Sequence, residues 1–491
     1  MTQTLLPTVK PQTLAQKVLR KTPLDEVGKQ VEGGEHLSRT IGLFQLTMLG
    51  VGCTVGTGIF FVLTTQVPAA GPSIVFSFIA AAIVAGLTAL CYAELASSIP
   101  VSGSSYSYAY ATLGEGVAMI VAACLLLEYG VSCAAVAVGW SQYVNQLLMN
   151  LFGFQIPDAL AFSPEEHGII NVPAMVLVLL CMLLLIRGAK ESAKANAIMV
   201  VIKLSVLTLF IVVGITGWNT NNLADFAPFG VSGIWAATGG IFFSFIGLDA
   251  VSTAGEEVKD PQRTMPRAII LGLMIVSTVY LLVAIVAVAA QPWKQFEGQK
   301  AGLAQILQNV TGSTWPGTVI AAGAIISIFS VTLVTLYGQT RILYAMSRDG
   351  MVPPLFHKIS RKTRTPVNGT IVVAIVVALL AGLVPLSKLA DLTSIGTLTA
   401  FAVVSAAVII LRRTAPDLPR GFRVPFYPWV PIASIVFSLL VVIGLPTITF
   451  VIFGVWVAAW LAFYFLYGIK HSRLGRLPDA DAAVQEPSYR A

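Results

Sequence analysis

The sequence predicts an all-α integral membrane protein with twelve membrane-spanning helices, and three observations lead there. Hydrophobic residues make up 56% of the 491 residues and charged residues only 11%, with a mean hydropathy of +0.82; soluble domains carry roughly 25% charge. Apolar runs of about 18 residues or more recur along the chain. Lysines and arginines fall almost wholly on one side of those runs.

The runs place spans near 41–66, 72–96, 114–148, 169–187, 194–217 and 233–256, then near 266–290, 316–346, 367–384, 393–412, 427–446 and 448–468. The third and eighth are long but carry no loop signal at their middle, so each reads as one tilted helix. Residues 1–40 form a polar N-terminal tail; this predicts no cleavable signal peptide and makes the first span its own insertion signal. Within the tail, 10–35 is basic and partly amphipathic: it lies on the inner leaflet or is a solvated arm. The C-terminal tail is 469–491, and 472–491, polar and holding Pro478 and Pro487, is predicted disordered.

Orientation follows from charge. The N-tail carries Lys10, Lys17, Arg20, Lys21, Lys29 and Arg39, and the loops after spans 4, 6, 8 and 10 continue the bias with residues such as Arg187, Lys259, Arg348 and Arg412. Of the 30 lysines and arginines, only Lys294, Lys300 and Lys388 fall opposite, and Lys203 lies within a span. Basic loops stay inside, so both termini are predicted cytoplasmic and the protein multi-pass in the plasma (inner) membrane. The net charge of +7 then reflects topology, and no nucleic-acid partner is implied. The five cysteines (Cys53, Cys91, Cys124, Cys133, Cys181) all fall inside predicted helices. With no CxxC pair and no nearby His, they read as small apolar fillers rather than disulfides or metal ligands; no cofactor is expected.

Two spans are interrupted. The first carries Gly50, Gly52, Gly56 and Gly58, and each interior glycine weakens a helix by roughly 1 kcal/mol against alanine. The sixth reads Gly239-Gly240-Ile241-Phe242-Phe243-Ser244-Phe245-Ile246-Gly247-Leu248-Asp249, with small residues and an acid at mid-depth. Opened backbone at membrane depth is tolerated only against protein or a water-filled cavity, and in secondary transporters such breaks come in pairs. The alternative is close helix packing of the GxxxG kind. Breaks five spans apart imply two five-helix halves, 41–217 and 233–412, inverted relative to each other, with 427–468 appended.

Further motifs carry a family resemblance. Gly56-Thr57-Gly58-Ile59-Phe60 is followed by Tyr92-Ala93-Glu94-Leu95-Ala96, Ser102-Gly103-Ser104-Ser105-Tyr106, Phe245-Ile246-Gly247-Leu248-Asp249 and Arg341-Ile342-Leu343-Tyr344-Ala345-Met346-Ser347-Arg348-Asp349-Gly350. In this order they resemble the amino acid–polyamine–organocation superfamily over roughly residues 37–470. Leu127-Glu128-Tyr129 and Glu256-Glu257-Val258-Lys259-Asp260-Pro261-Gln262-Arg263 are similar to the cationic amino acid transporter family. The resemblance implies a LeuT-like arrangement of the 5+5 repeat and a secondary active amino acid permease working by alternating access. Its substrates would be cationic or broad in range, coupled to protons or exchanged. A neutral amino acid or polyamine transporter of the same superfamily is the alternative.

The first break offers the first wall of a site. Backbone N–H groups around Gly56, Thr57 and Gly58, at the N-terminal end of the outer half-helix, suit the substrate carboxylate, and the Thr57 hydroxyl adds a donor. The resemblance implies that carbonyls near Phe243, Ser244 and Ile246 receive the ammonium, and that Phe243 is an aromatic gate; simple core packing of Phe243 is the other reading. Lys203 lies about nine residues into its span, roughly 14 Å deep, where a charge is costly. The resemblance puts it beside the opened first span, where sodium sits in sodium-coupled relatives of the fold. It is then a proton-coupling group, or else a charged pin between spans 5 and 1.

Glu128 heads a helical face with Ser132, Ala135 and Gly139 and faces the cavity or pairs structurally. Asp249 matches a position acidic in several members, as a proton or conformational sensor. Glu94 reads as structural, and Glu256, Glu257 and Arg263 as an inner charge network. Ser327, Phe329, Ser330 and Thr335 line the side-chain wall, where Phe329 restricts long substrates if it faces the cavity. No Ser/His/Asp set or metal cluster lies within the spans, so no enzyme is expected. An amino acid sensor without transport is a further class, and the short tails offer it no signalling domain. The expected partners are an amino acid, protons and the bilayer.

Overall fold

A computed structural model of the chain describes residues 13–21, 41–56, 58–99, 104–187, 193–247, 249–360 and 365–476. The tail readings at 1–12, 22–40 and 477–491 therefore lie outside the described residues, as do Thr57, Ser102, Gly103 and Leu248. Among the described residues the fold is all-helical, with one isolated backbone bridge between Ile41 and Val258. A short N-terminal helix, α1 (Leu14–Val18), is followed by α2 (Leu43–Thr54), α3 (Val62–Ala70), α4 (Ile74–Ser98) and α5 (Ser104–Thr112). Next come α6 (Glu115–Leu126), α7 (Ser132–Phe152), α8 (Val172–Ile186), α9 (Ala193–Gly214) and α10 (Gly230–Phe242). The second part holds α11 (Pro261–Ala290), α12 (Gly302–Thr311), α13 (Thr314–Arg348), α14 (Val367–Leu383), α15 (Leu386–Thr414), α16 (Trp429–Ile443) and α17 (Thr447–Phe463). Among the described residues, eight helical runs are long and apolar enough to cross a bilayer, and four shorter apolar helices accompany them.

Two details were not legible in the hydropathy pattern. The helical run from Val62 to Ser98 is divided only by the tight turn Gly71–Ser73, so the first two spans meet without a loop. A whole helix, α5, precedes the third span and is buried along most of its length, although its hydroxyl-rich sequence Ser104-Ser105-Tyr106-Ser107-Tyr108 carries no apolar run.

Burial separates centre from periphery. The run Glu115–Phe152 is 89% buried in its most apolar window and Thr447–His471 only 11%. The first is therefore the spine of the bundle and the second a rim whose Val455 and Leu466 face outward, as suits lipid contact. Between α6 and α7 the chain widens into a π-turn at Leu127–Val131, a feature frequent at functional sites because it re-aims side chains. All five cysteines are buried and none forms a disulfide.

Candidate functional site

The glycine-rich segment does break its helix. α2 stops at Thr54, Val55 is extended, Gly56 has φ of +115°, and helix resumes at Val62. That backbone conformation is one L side chains rarely adopt. The sixth-span segment breaks as well: after α10 come the tight turn Phe243–Phe245, extended Ile246 and Gly247 with φ of +98°, before the short helix Ala250–Thr253.

The two breaks interlock. A Cβ on Gly58 would fall on the Cα, Cβ and Oγ of Ser244, and one on Gly247 would lie 2.8 Å from the Cys53 carbonyl oxygen. Each break thus uses a glycine to admit the other. Gly56 faces α13: a Cβ there would meet Val331 Cγ2 at 3.2 Å and the Ser327 carbonyl oxygen at 3.5 Å. Ser327 Oγ is buried with no hydrogen-bond partner. Ser330 is also buried, and Thr335 Oγ1 donates to the Val331 carbonyl at 2.9 Å. Phe329 is half-buried and sits two residues from Ser327, about 200° around a helix. It therefore lies away from the side that meets Gly56, with Ile326, which is 40% exposed.

Ending α2 inside the bundle leaves its last carbonyls without intrahelical partners and gives that end a negative field. Side chains from two other helices answer it. Lys203 Nζ, fully buried on α9, donates to the Gly52 carbonyl at 2.8 Å, and the Tyr280 hydroxyl on α11 donates to the Thr54 carbonyl at 2.9 Å. Gly52 makes the first contact feasible, because a Cβ there would lie 2.8 Å from Asn196 Oδ1 and from Val200 Cγ2, one helical face with Lys203. Tyr280 was missed in the sequence, where it looks like any apolar-span tyrosine.

Above the breaks, Phe243 and Phe61 are buried with ring centroids 5.8 Å apart. The Phe61 ring lies against Gly139 of α7. Beside it the Tyr143 hydroxyl donates to the Phe60 carbonyl at 2.5 Å. The loop helix α12 closes on the same region, with Gly302 against Thr64.

On the other side of the breaks lie two buried acids. Asp249 Oδ2 accepts from the Tyr129 hydroxyl at 2.9 Å and from the Ser104 hydroxyl at 3.3 Å, whereas Oδ1 has no donor. Glu128, presented by the π-turn, is within reach of Asp249. Neither of its oxygens meets a donor; the Thr397 hydroxyl beside it donates to the Thr393 carbonyl at 3.0 Å. Tyr129 and Ser104 entered the sequence reading only as members of the motifs Leu127-Glu128-Tyr129 and Ser102-Gly103-Ser104-Ser105-Tyr106, with no role of their own.

Farther out, Glu94 is buried against two arginines and a backbone amide. Arg412 Nε and Nη2 donate to it at 2.8 and 2.5 Å, the Val424 N–H at 2.6 Å, and Arg420 Nε lies 3.4 Å away. The predicted inner charge network is dispersed: Glu257 lies 4.0 Å from Arg341, and Arg263 lies 4.0 Å from Asp260 in an exposed pair. The Glu256 side chain lies outside what is described.

Residues 41–469 match the amino acid permease family. The branched-chain amino acid permease BcaP of Bacillus subtilis (strain 168) is 42% identical over 463 residues, which cover 94% of this chain and 99% of that protein. The methylthioribose transporter of the same organism shows the same identity and coverage. The vacuolar cationic amino acid transporter 2 of Arabidopsis thaliana is 36% identical over 82% of this chain and 64% of its own length. The chain therefore belongs to the amino acid permease family of the amino acid–polyamine–organocation superfamily, and is a multi-pass membrane transporter rather than an enzyme.

Proposed function

We propose that this chain is a secondary active amino acid permease that reads the substrate backbone at two interlocked helix breaks. The observation that carries the reading is the reciprocal packing of Gly58 on Ser244 and of Gly247 on Cys53. It brings the N-terminal end of one half-helix beside the opened carbonyls of the other. A zwitterion meets both needs: its carboxylate at Gly56, Thr57 and Gly58, its ammonium at the backbone of Phe243, Ser244 and Ile246. Phe243, paired with Phe61, closes the site as its gate.

Coupling is to protons. Lys203 fills the position against the Gly52 carbonyl that a metal ion would otherwise occupy, and loss of its proton frees that carbonyl. Glu128 and Asp249 are neighbouring acids with three oxygens that lack donors, and one proton held between them supplies the missing donor. Around this core the chain has twelve spans, two inverted five-helix repeats and two appended helices. Both termini are cytoplasmic, in the plasma membrane.

Among substrates, we favour neutral branched-chain amino acids. Val331 faces Gly56, Phe329 is turned away, and the bacterial relative at 42% identity is named a branched-chain permease. A cationic substrate is the second reading, supported by the acidic pair and by the plant relative's name. Binding of labelled leucine and, separately, of labelled arginine to purified protein, each competed by leucine, isoleucine, alanine, arginine and lysine, separates the two. Labelled arginine that binds and is displaced by lysine, with no binding of labelled leucine, would reverse the preference.

A further inference from the structure

Of the four described non-glycine residues with positive φ, His167, Asp260 and Phe426 are exposed and only Ser104, with φ of +49°, is buried. Left-handed backbone at a buried serine is strained and persists only where its surroundings demand it. What surrounds Ser104 is the acid at the second break. Its hydroxyl donates to Asp249 Oδ2 at 3.3 Å, and the Ser252 hydroxyl is shared between Ser104 Oγ, at 3.1 Å, and the Asp249 carbonyl, at 2.6 Å. Ser104 is also the first residue of α5.

From there α5 ties together the region beneath the breaks. Ser105 Oγ lies 2.8 Å from the Tyr92 hydroxyl of α4, and the Tyr106 hydroxyl donates to Asp349 Oδ2, just past α13, at 3.2 Å. Tyr108 packs edge-on to Tyr92, with ring centroids 6.3 Å apart, and Tyr92 packs edge-on to Phe401 of α15 at 5.4 Å. The seat of α5 is thus fixed at its origin by the bonds of Ser104 to Asp249 and Ser252, and farther along by hydroxyls.

We propose that Ser104 is the positioning residue that links the protonation of Asp249 to the seat of α5, so that the inner side of the site opens or stays shut with the proton. The proposal rests on the proton-coupled reading above. With Asp249 ionised, Oδ2 accepts both the Ser104 and Tyr129 hydroxyls. When a proton enters the Glu128–Asp249 pair, the oxygen that carries it becomes a donor and Asp249 holds its hydroxyl partners more weakly. The start of α5, already in strained backbone, is then the contact that yields. The titratable groups facing Asp249 are Glu128 and Tyr129 of the π-turn, Tyr92 of α4 and Tyr108 of α5. Of the two hydroxyls on Asp249 Oδ2, that of Ser104 is the one whose loss removes the link to α5 without removing a titrating group.

The test is Ser104→Gly in proteoliposomes, compared with wild type and Asp249→Asn. Glycine accepts the backbone conformation, so the fold should melt at or above the wild-type temperature while the hydroxyl is lost. The expected result is substrate affinity within about twofold of wild type, together with accumulation driven by a proton gradient reduced at least about tenfold and a flattened pH profile. Ser252→Ala, which leaves the Ser104 backbone alone, should shift the profile in the same direction and covers the case in which Ser104→Gly fails to fold. Gradient-driven accumulation unchanged in both variants, while Asp249→Asn abolishes it, overturns this proposal and leaves proton coupling standing. Wild-type uptake indifferent to the gradient overturns both.

Discussion

Lys203 Nζ reaches the carbonyl oxygen of Gly52 at 2.8 Å, joining the middle of α9 to the point where α2 stops. A buried ammonium is stable there because it meets the negative end of a half-helix whose last carbonyls need donors. Lys203→Ala removes the charge and the bond together. We expect uptake in proteoliposomes to lose its pH dependence and fall to a low, flat level, while the protein still purifies as a folded species. Retained pH-dependent uptake would remove the coupling role.

Glu94 anchors the C-terminal end of α4 to Arg412 of α15 and to the segment that follows it. Leaving buried arginine without its carboxylate typically costs about 3–5 kcal/mol, so Glu94→Gln should sharply lower thermal stability in detergent. Arg263→Ala, from an exposed pair, should leave the melting temperature unchanged. Melting curves of the two variants provide the comparison.

Tyr143 holds the Phe60 carbonyl beneath the aromatic pair. Tyr143→Phe removes one neutral hydrogen bond, worth about 1 kcal/mol. It should weaken amino acid binding several-fold by loosening the segment that carries Phe61, without altering which amino acids compete. A changed substrate order in competition assays would instead put Tyr143 in the side-chain wall.

Phe329 lies on the far side of α13 from Gly56. Phe329→Ala should leave the relative affinities of leucine and arginine unchanged, whereas Val331→Ala should lower affinity for leucine more than for alanine. Binding competition on both variants reads this directly.

Much of this was legible in the residues. Glycines at 50, 52, 56 and 58, and the run Gly239 to Asp249, marked both breaks, because interior glycine weakens a helix whatever surrounds it. Lys203 stood out because a charge in an apolar run needs a partner. The partnerships themselves were not legible: Tyr280 has no local signature in its span, and Tyr129 and Ser104, although inside quoted motifs, act through contacts set by how distant helices meet. The facing of Phe329 likewise depends on helix azimuth, which an all-round apolar segment does not encode. α5 went unseen because burial by surrounding helices, rather than an apolar run of its own, holds it.

If the two breaks together form the amino acid site, the contact of Gly58 with Ser244 lies at its heart. Binding of labelled leucine is measured on wild type, on Gly58→Ala, and on Gly58→Ala combined with Ser244→Gly, at matched thermal stability. Alanine at position 58 should weaken binding at least tenfold, about 1.4 kcal/mol, with partial recovery when the serine side chain that the new methyl group strikes is removed. Wild-type affinity in folded Gly58→Ala would contradict it and move the substrate elsewhere.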